Sequence, residues 1–170
     1  CAFFVAVALQ AKVSLPAFFS DGMVMQQQSQ ASLWGNASKG KIVEVTTGWD
    51  GQTYTTRADE QGKWKLTVQT PAAGGPYDIT FDDGERTRIK DILMGELWIC
   101  SGQSNMEMPL RGFNNCPIAG ANEIIARAGS MRDRFRYVKI PLTAAYTPQE
   151  RVPGKWRPCT VETAQENRIW

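Results

Sequence analysis

The sequence contains no histidine among its 170 residues. Histidine is the side chain most often used as a general base near neutral pH, and it is also the commonest metal ligand in proteins. Chemistry that depends on a histidine base therefore cannot be completed by these residues alone. The cysteines show no metal-ligand spacing either, and we predict neither a bound metal nor a cofactor.

A strong charge of one sign is also lacking. The 19 basic and 17 acidic residues nearly cancel and give a formal net charge of +2. This balance gives no reason to expect nucleic acid or an anionic membrane surface as a partner. The hydrophobic fraction of 42% is ordinary for a globular protein and argues against disorder. The length allows one domain, or one small domain with part of another.

The apolar, uncharged run at residues 1–9 is too short to span a bilayer. Its length is that of a signal-peptide core, and its Ala-Val-Ala sequence is a cleavage signal, although cleavage after Ala11 is an alternative. Because the run lacks an initiator methionine and a basic leader, we expect the front of the signal to be missing. We interpret residues 1–11 as a signal-peptide remnant and expect export to the periplasm or the extracellular space. A buried first strand and a lipidated Cys1 are the alternatives.

Cysteine is sparse, with four residues. Beyond Cys1 an odd number remains, so a complete set of disulfides is excluded among them. Cys100 lies in an apolar run and is predicted to be a small buried thiol. Cys116 and Cys159 lie in loop-like segments and could pair in an oxidising compartment, but the sequence leaves their pairing open.

Residues 12–90 have the pattern of a β-domain. Strands are predicted at residues 42–46, 53–56, 63–68 and 77–81, either from β-branched residues or from strict alternation of apolar and polar side chains. Turn sequences separate these strands. Short strands at this spacing are typical of a β-sandwich.

The aromatic residues of this β-domain could stack on sugar rings or could belong to its core. Trp64 and Tyr77 alternate with polar neighbours, as core residues do. Trp49 lies beside a turn and is the better candidate for an exposed, sugar-binding ring. Core packing is the favoured interpretation for the group.

The pattern then changes. We predict a buried strand at residues 97–100, a helix at residues 122–128 that Asn122 caps and Gly129 ends, and a second strand at residues 135–140. A strand, a helix and a strand over about 40 residues have the size of a βαβ unit with a parallel pair.

Ser104 follows the first of these strands, in a turn that also contains Gly102 and Asn105. Several hydrolase folds expose a nucleophilic serine where a strand turns sharply toward a helix. Gly102 would permit unusual dihedral angles, and free backbone amides in the turn could face a developing oxyanion. A serine in such surroundings is also often only a turn residue, so this spacing alone does not decide its role.

The sequence Cys-Ser-Gly-Gln-Ser-Asn-Met-Glu-Met-Pro at residues 100–109 resembles the nucleophile block of the sialate O-acetylesterases, which belong to the SGNH hydrolase superfamily. Residues 15–27, 62–64, 74–77 and 95–98 extend the resemblance over most of the chain. The resemblance implies an esterase that removes acetyl groups from sugar hydroxyls, with an O-acetylated sialic acid as its small-molecule substrate.

For the fold, the resemblance implies an α+β chain in two parts. An amino-terminal antiparallel β-sandwich at residues 12–90 would precede the first βαβ portion of an SGNH-type, flavodoxin-like α/β hydrolase domain at residues 91–170. That hydrolase domain would be incomplete, because two strands with a helix on one side do not make a stable α/β domain.

For the site, the resemblance implies Ser104 as the nucleophile. Gly102, Gln103 and Asn105 are predicted from the turn itself to support its backbone and the oxyanion. The family's base is a histidine in a late Asp-x-x-His block, and its oxyanion hole also uses a glycine and an asparagine from two intermediate blocks. None of these blocks has a match here. We therefore expect an amino-terminal portion of an esterase, with little or no activity alone. A carbohydrate-binding β-module and a deacetylase of acetylated xylan or another glycan are the alternatives.

Overall fold

A computed structural model describes residues 12–147, 149 and 152–166. The predicted signal-peptide remnant at residues 1–11 lies outside the described residues. The described chain is mostly β-structure with two short α-helices. No helix in these residues is long and apolar enough to cross a membrane.

Seven strands form the first part of the structure. In chain order they are β1 (Val24–Gln26), β2 (Gln30–Asn36), β3 (Ile42–Thr47), β4 (Thr53–Arg57), β5 (Lys63–Gln69), β6 (Gly74–Asp82) and β7 (Arg86–Gly95). The predicted strands at residues 42–46, 53–56, 63–68 and 77–81 are confirmed as β3 to β6. The last strand, β7, continues past residue 90 to Gly95.

These strands form two sheets. A five-stranded sheet has the order β1-β7-β6-β3-β4, and β2 pairs with β5 in a separate antiparallel pair. The sheet curls, and at its β4 edge the Thr56 hydroxyl donates a hydrogen bond to the Lys65 carbonyl of β5 at 3.1 Å. The expectation of a wholly antiparallel arrangement was wrong, because β1 pairs with β7 in parallel. The two strands are far apart in sequence, so no hairpin constrains their relative direction.

One hydrophobic core lies between these strands. Its largest fully buried side chains include Phe81, Met23, Leu33 and Ile79, and each such side chain contributes about 1.5–3 kcal/mol by leaving water. The predicted alternation is confirmed at Trp64, which is buried with 3% exposure.

The second part contains short elements. They are a 3₁₀ helix (Ser104–Glu107), β8 (Gly112–Phe113), β9 (Cys116–Pro117), α1 (Ala121–Ala128), a second 3₁₀ turn (Gly129–Met131), β10 (Arg136–Val138), β11 (Trp156–Pro158) and α2 (Val161–Glu166). A small cluster joins the two α-helices, with Ile125 and Ala128 of α1 packed against Cys159 and Ala164.

The predicted buried strand at residues 97–100 was wrong. This run has no strand assignment, and Trp98 and Ile99 are 81% and 92% exposed. Cys100 is exposed as well, so its predicted burial was also wrong. The physical reason is that, within the described residues, no strand pairs with this run. An apolar extended run without such a partner has nothing against which to bury its side chains.

The predicted βαβ unit is likewise absent from the described residues. The strand predicted at residues 135–140 is present as the shorter β10, but it pairs with β11 in an antiparallel direction. Without a strand at residues 97–100, β10 has no parallel partner, and the nearby β11 supplies its backbone hydrogen bonds instead.

The helix predicted at residues 122–128 is confirmed as α1, but its predicted cap is wrong. Gly120, in a left-handed conformation, is the N-cap residue, and no side chain caps the helix. Asn122 lies inside the first turn, because the buried Ala121 begins the helix one residue earlier. The α-helix ends before Gly129, as predicted.

Among the described residues, Arg136 and Trp156 attach β10 and β11 to the sheet region. Arg136 of β10 donates to a carboxylate oxygen of Asp91 at 2.8 Å and also to the Asp91 carbonyl. The Arg136 side chain is only 10% exposed. The Trp156 indole N–H donates to the Phe18 carbonyl at 2.7 Å, and its ring packs against the sheet core. These contacts hold β10 and β11 beside β7.

Candidate functional site

Ser104 is the first residue of the 3₁₀ helix Ser104–Glu107, and it is exposed. The backbone N–H of Met106 donates to the Gln103 carbonyl at 2.9 Å and closes the first turn of this helix. The serine therefore lies in an exposed turn that enters a helix, as its sequence surroundings indicated. The strand that was expected to precede it is replaced by the extended residues 97–100.

Gly102 lies close to the Met106 side chain. Its φ is not in the left-handed region. A β-carbon at Gly102 would come within 2.9 Å of the Met106 Cγ atom, which is closer than real β-carbons approach a neighbour. A larger residue at this position would therefore have to displace the Met106 side chain.

The structure brings the other two predicted site residues into the same turn. Gln103 is exposed, and its carbonyl accepts the hydrogen bond that closes the turn. Asn105 contributes backbone to the 3₁₀ helix, and its side chain is outside the described part of the structure. The four predicted residues thus form one short segment, in which Gly102, Gln103 and Ser104 are exposed.

Nothing in the described residues activates the Ser104 hydroxyl. No hydrogen bond or ion pair joins this side chain to another described residue, and the chain contains no histidine. Residues 12–147, 149 and 152–166 also contain no group of three side chains that could hold a metal ion. A serine hydroxyl without a base is a weak nucleophile at neutral pH.

A hydrogen-bonded group that the sequence did not reveal lies where the chain leaves β7. The Gln26 and Gln27 side-chain amides donate to the two carboxylate oxygens of Glu96, at 3.2 and 2.7 Å respectively. The hydrogen bonds from Gln27 and Gln26 lower the pKa of Glu96 from its ordinary value. Glu96 is thus held as a carboxylate at the start of the segment that leads to Ser104.

The signal for this group was present in the sequence but not interpretable alone. Residues 15–27 and 95–98 both carry the family resemblance, yet they lie about 70 residues apart, and only the parallel pairing of β1 with β7 brings them together.

The structure also shows where Trp49 and the described cysteines lie. Trp49 is partly buried, because its indole N–H donates to the Gln69 carbonyl at 3.1 Å and its ring meets Tyr77 edge-on. The described cysteines are free thiols. Cys116 is exposed while Cys159 is buried, and burial raises the pKa of the Cys159 thiol.

Comparisons with known proteins place this geometry in context. No family model matches the sequence. Over 108 residues the chain is 30% identical to a sialate O-acetylesterase of Mus musculus and 32% identical to that of Homo sapiens. These matches cover 58% and 57% of this chain, and 20% and 21% of the two proteins.

The structure is also similar to the crystal structure of a carbohydrate acetylesterase from Xanthomonas citri. The TM-score is 0.79 at 32% sequence identity, and the match covers 91% of this chain and 34% of that chain. The resemblance predicted from residues 100–109 is therefore confirmed: this is a chain similar to part of a sialate O-acetylesterase, and the similarity supports an esterase-like hydrolase. The chain spans only 20% to 34% of the length of the relatives that it matches.

Proposed function

We propose that this chain is the serine-bearing part of an exported esterase that removes O-acetyl groups from sialic acids. The observation that carries the proposal is the exposed Ser104 at the start of a 3₁₀ helix, within a block that resembles the nucleophile block of the sialate O-acetylesterases. The similarity to acetylesterases in both sequence and fold supports it. The implied substrate is a small acetylated sugar.

In the proposed reaction, Ser104 Oγ attacks the acetyl carbonyl while a base takes the hydroxyl proton. The tetrahedral intermediate collapses, the C–O bond to the sugar breaks, and the sugar oxygen leaves with that proton. Water then hydrolyses the acetyl-serine to acetate. The Ser104 backbone N–H is the proposed oxyanion donor from this chain, in a turn that Gly102, Gln103 and Asn105 support.

We propose that the base is a histidine, as in the family that the chain resembles, and that it comes from residues outside these 170, because no histidine is present among them. We therefore expect the 170-residue chain alone to turn over an aryl acetate slowly or not at all. Removing members of a serine triad lowers kcat by about 10⁴- to 10⁶-fold, and a missing oxyanion donor lowers it by about 10²- to 10³-fold.

A chimaera tests the proposal directly. Residues 12–166 would replace the matching part of the Xanthomonas citri acetylesterase, so that the remainder of that enzyme supplies the base. We expect turnover of an aryl acetate, and Ser104→Ala should abolish it. The matched control is Ser101→Ala, which removes an exposed hydroxyl three residues away. Equal turnover in the Ser104→Ala and control variants, or a folded but inactive chimaera, would contradict the proposal.

Another acetylated glycan is the second candidate substrate. The matching solved structure is named a carbohydrate acetylesterase, without mention of sialic acid. Relative rates of the chimaera on acetylated xylan and on O-acetylated sialic acid distinguish the two candidates, since the true substrate class should have the higher kcat/KM.

A carbohydrate-binding module without catalysis is the third candidate. Trp34 is exposed and makes edge contacts with Phe18 and Phe19 at 5.5 and 4.7 Å between ring centroids. These aromatic rings could contact a sugar. Titration of the chain with O-acetylated sialosides, followed by calorimetry and tryptophan fluorescence, tests this candidate. Absence of both heat and a fluorescence change would contradict it.

A further inference from the structure

The chain leaves the sheet for Ser104 at a point that β1 and β7 define together. Gln26 lies opposite Gly95 in their parallel pairing. The backbone N–H of Gln27 donates to the Gly95 carbonyl at 2.9 Å. Glu96 is the first residue after β7, and it therefore lies beside the two glutamine side chains at the end of β1.

Each glutamine amide is used at both its nitrogen and its oxygen. The nitrogens donate to the Glu96 carboxylate. The Gln26 side-chain oxygen accepts the backbone N–H of Leu97 at 2.8 Å, and the Gln27 side-chain oxygen accepts the backbone N–H of Ala73 at 2.8 Å. Because an ionised carboxylate only accepts and a backbone N–H only donates, each amide has one orientation that satisfies both partners.

Beyond this group, the described chain makes no hydrogen bond to the sheets before the serine turn. Among the described residues, no hydrogen bond ties residues 98–102 to the sheets, and these residues are exposed. The next backbone hydrogen bond is the one that closes the turn at Gln103. The contacts of Glu96 and Leu97 are thus the last hydrogen bonds to the sheet before Ser104.

We propose that Gln26, Gln27 and Glu96 act as a positioning clamp for the serine segment. The clamp fixes the direction in which the chain leaves β7, and it thereby limits the positions that Ser104 can reach relative to the sheets. A charged acceptor makes both amide hydrogen bonds stronger than neutral pairs would be. The clamp touches no reacting atom, and its value for the reaction rests on the proposed role of Ser104 as nucleophile.

An exchange of the two side chains gives a sharp test. In Glu96→Gln, two amide nitrogens face a group with only one acceptor oxygen, so one hydrogen bond is lost and the Gln26 amide is displaced from the Leu97 N–H. In the double variant Gln26→Glu with Glu96→Gln, the new amide donates to the new carboxylate, and all four side-chain hydrogen bonds can form again. Glu44→Gln is the matched control, since it removes an exposed carboxylate from β3.

The first measurement is hydrogen exchange of the Leu97 amide in the 170-residue chain. The second is the distribution of distances between spin labels at Ser104→Cys and Thr55→Cys, in a background where Cys1, Cys100 and Cys116 are serine and Cys159 is alanine. We expect Glu96→Gln to speed exchange of the Leu97 amide about five-fold, the effect of one ordinary hydrogen bond, and to broaden the distance distribution.

The double variant should restore both measurements, and Glu44→Gln should change neither. A purely local structural role would change the amide exchange but leave the Ser104 distances as they are, and that result would overturn the clamp. Failure of the double variant to restore the wild-type values would overturn it as well. Neither measurement needs catalysis, so an inactive chimaera would contradict the proposed esterase function while leaving the clamp intact.

Discussion

The two regions of the molecule differ in how many of their apolar side chains are buried. In the sheet region, residues 12–95, fourteen buried residues form one core. Of the large apolar side chains described there, only Trp34 and Ile42 are exposed. In the serine region, residues 96–166, the buried cluster has four residues, and ten of the described large apolar side chains are exposed.

This difference indicates where the stability of the chain resides. The sheet region buries most of its large apolar residues in one core. The serine region carries the candidate nucleophile but buries few apolar side chains. Its contacts with the sheet region include those of Glu96, Arg136 and Trp156.

The largest expected effect tests whether the cooperative core lies in the sheet region. Phe81→Ala empties a fully buried position in the sheet core and should lower the free energy of unfolding by about 3–5 kcal/mol. Phe135→Ala removes an equivalent ring that is 46% exposed in the serine region and should change it by less than about 1 kcal/mol. Urea unfolding of both variants measures this difference. Equal losses would show that the serine region contributes as much to the cooperative core.

The next expected effect tests whether the ion pair of Arg136 and Asp91 attaches β10 and β11 to the sheet region. Arg136→Ala removes a side chain that is 10% exposed and that holds Asp91, which is itself 57% exposed. Because solvent screens this pair, we expect a loss of only about 1 kcal/mol. Hydrogen exchange should rise in β10 and β11 while the sheet core stays protected.

Arg134→Ala is the matched control for this variant, since it removes an exposed guanidinium from the neighbouring turn. If both variants leave exchange in β10 and β11 unchanged, the ion pair does not dock the serine region onto the sheets. If Arg136→Ala also exposes the sheet core, the two regions unfold together and the comparison fails.

The same contrast explains what could be predicted from the sequence. Alternation at Trp64 and at Ile79 and Phe81 predicted strands correctly, because their partners lie within the same core and local pattern is sufficient there. Residues 97–100 have an equally apolar pattern, but a pattern indicates only that burial is favourable. Whether a partner strand is present is a property of the fold, and among the described residues none pairs with this run.

The candidate site divides in the same way. The turn at Ser104 could be predicted from its own neighbours, since Gly102 and the following residues act locally. The hydrogen bonds of Gln26 and Gln27 to Glu96 could not, because they join residues about 70 positions apart and depend on a parallel strand pair that no local pattern encodes.

The smallest expected effect concerns the pKa of Glu96. Its carboxyl is exposed, and its pKa is lowered first by the hydrogen bond from Gln27 and then by that from Gln26. A carboxyl whose pKa is lower in the folded state stabilises the fold above its unfolded pKa, and this contribution is lost as the pH falls through the folded value. The clamp should therefore loosen only in acid, below the ordinary glutamate pKa of 4.5.

A carboxyl carbon titration by NMR should show the pKa of Glu96 rising toward that ordinary value in Gln27→Leu, and rising less in Gln26→Leu. The reverse order would mean that Gln26, the residue that also holds the Leu97 amide, is the stronger partner. An unchanged pKa in both variants would mean that neither amide holds the carboxylate in solution.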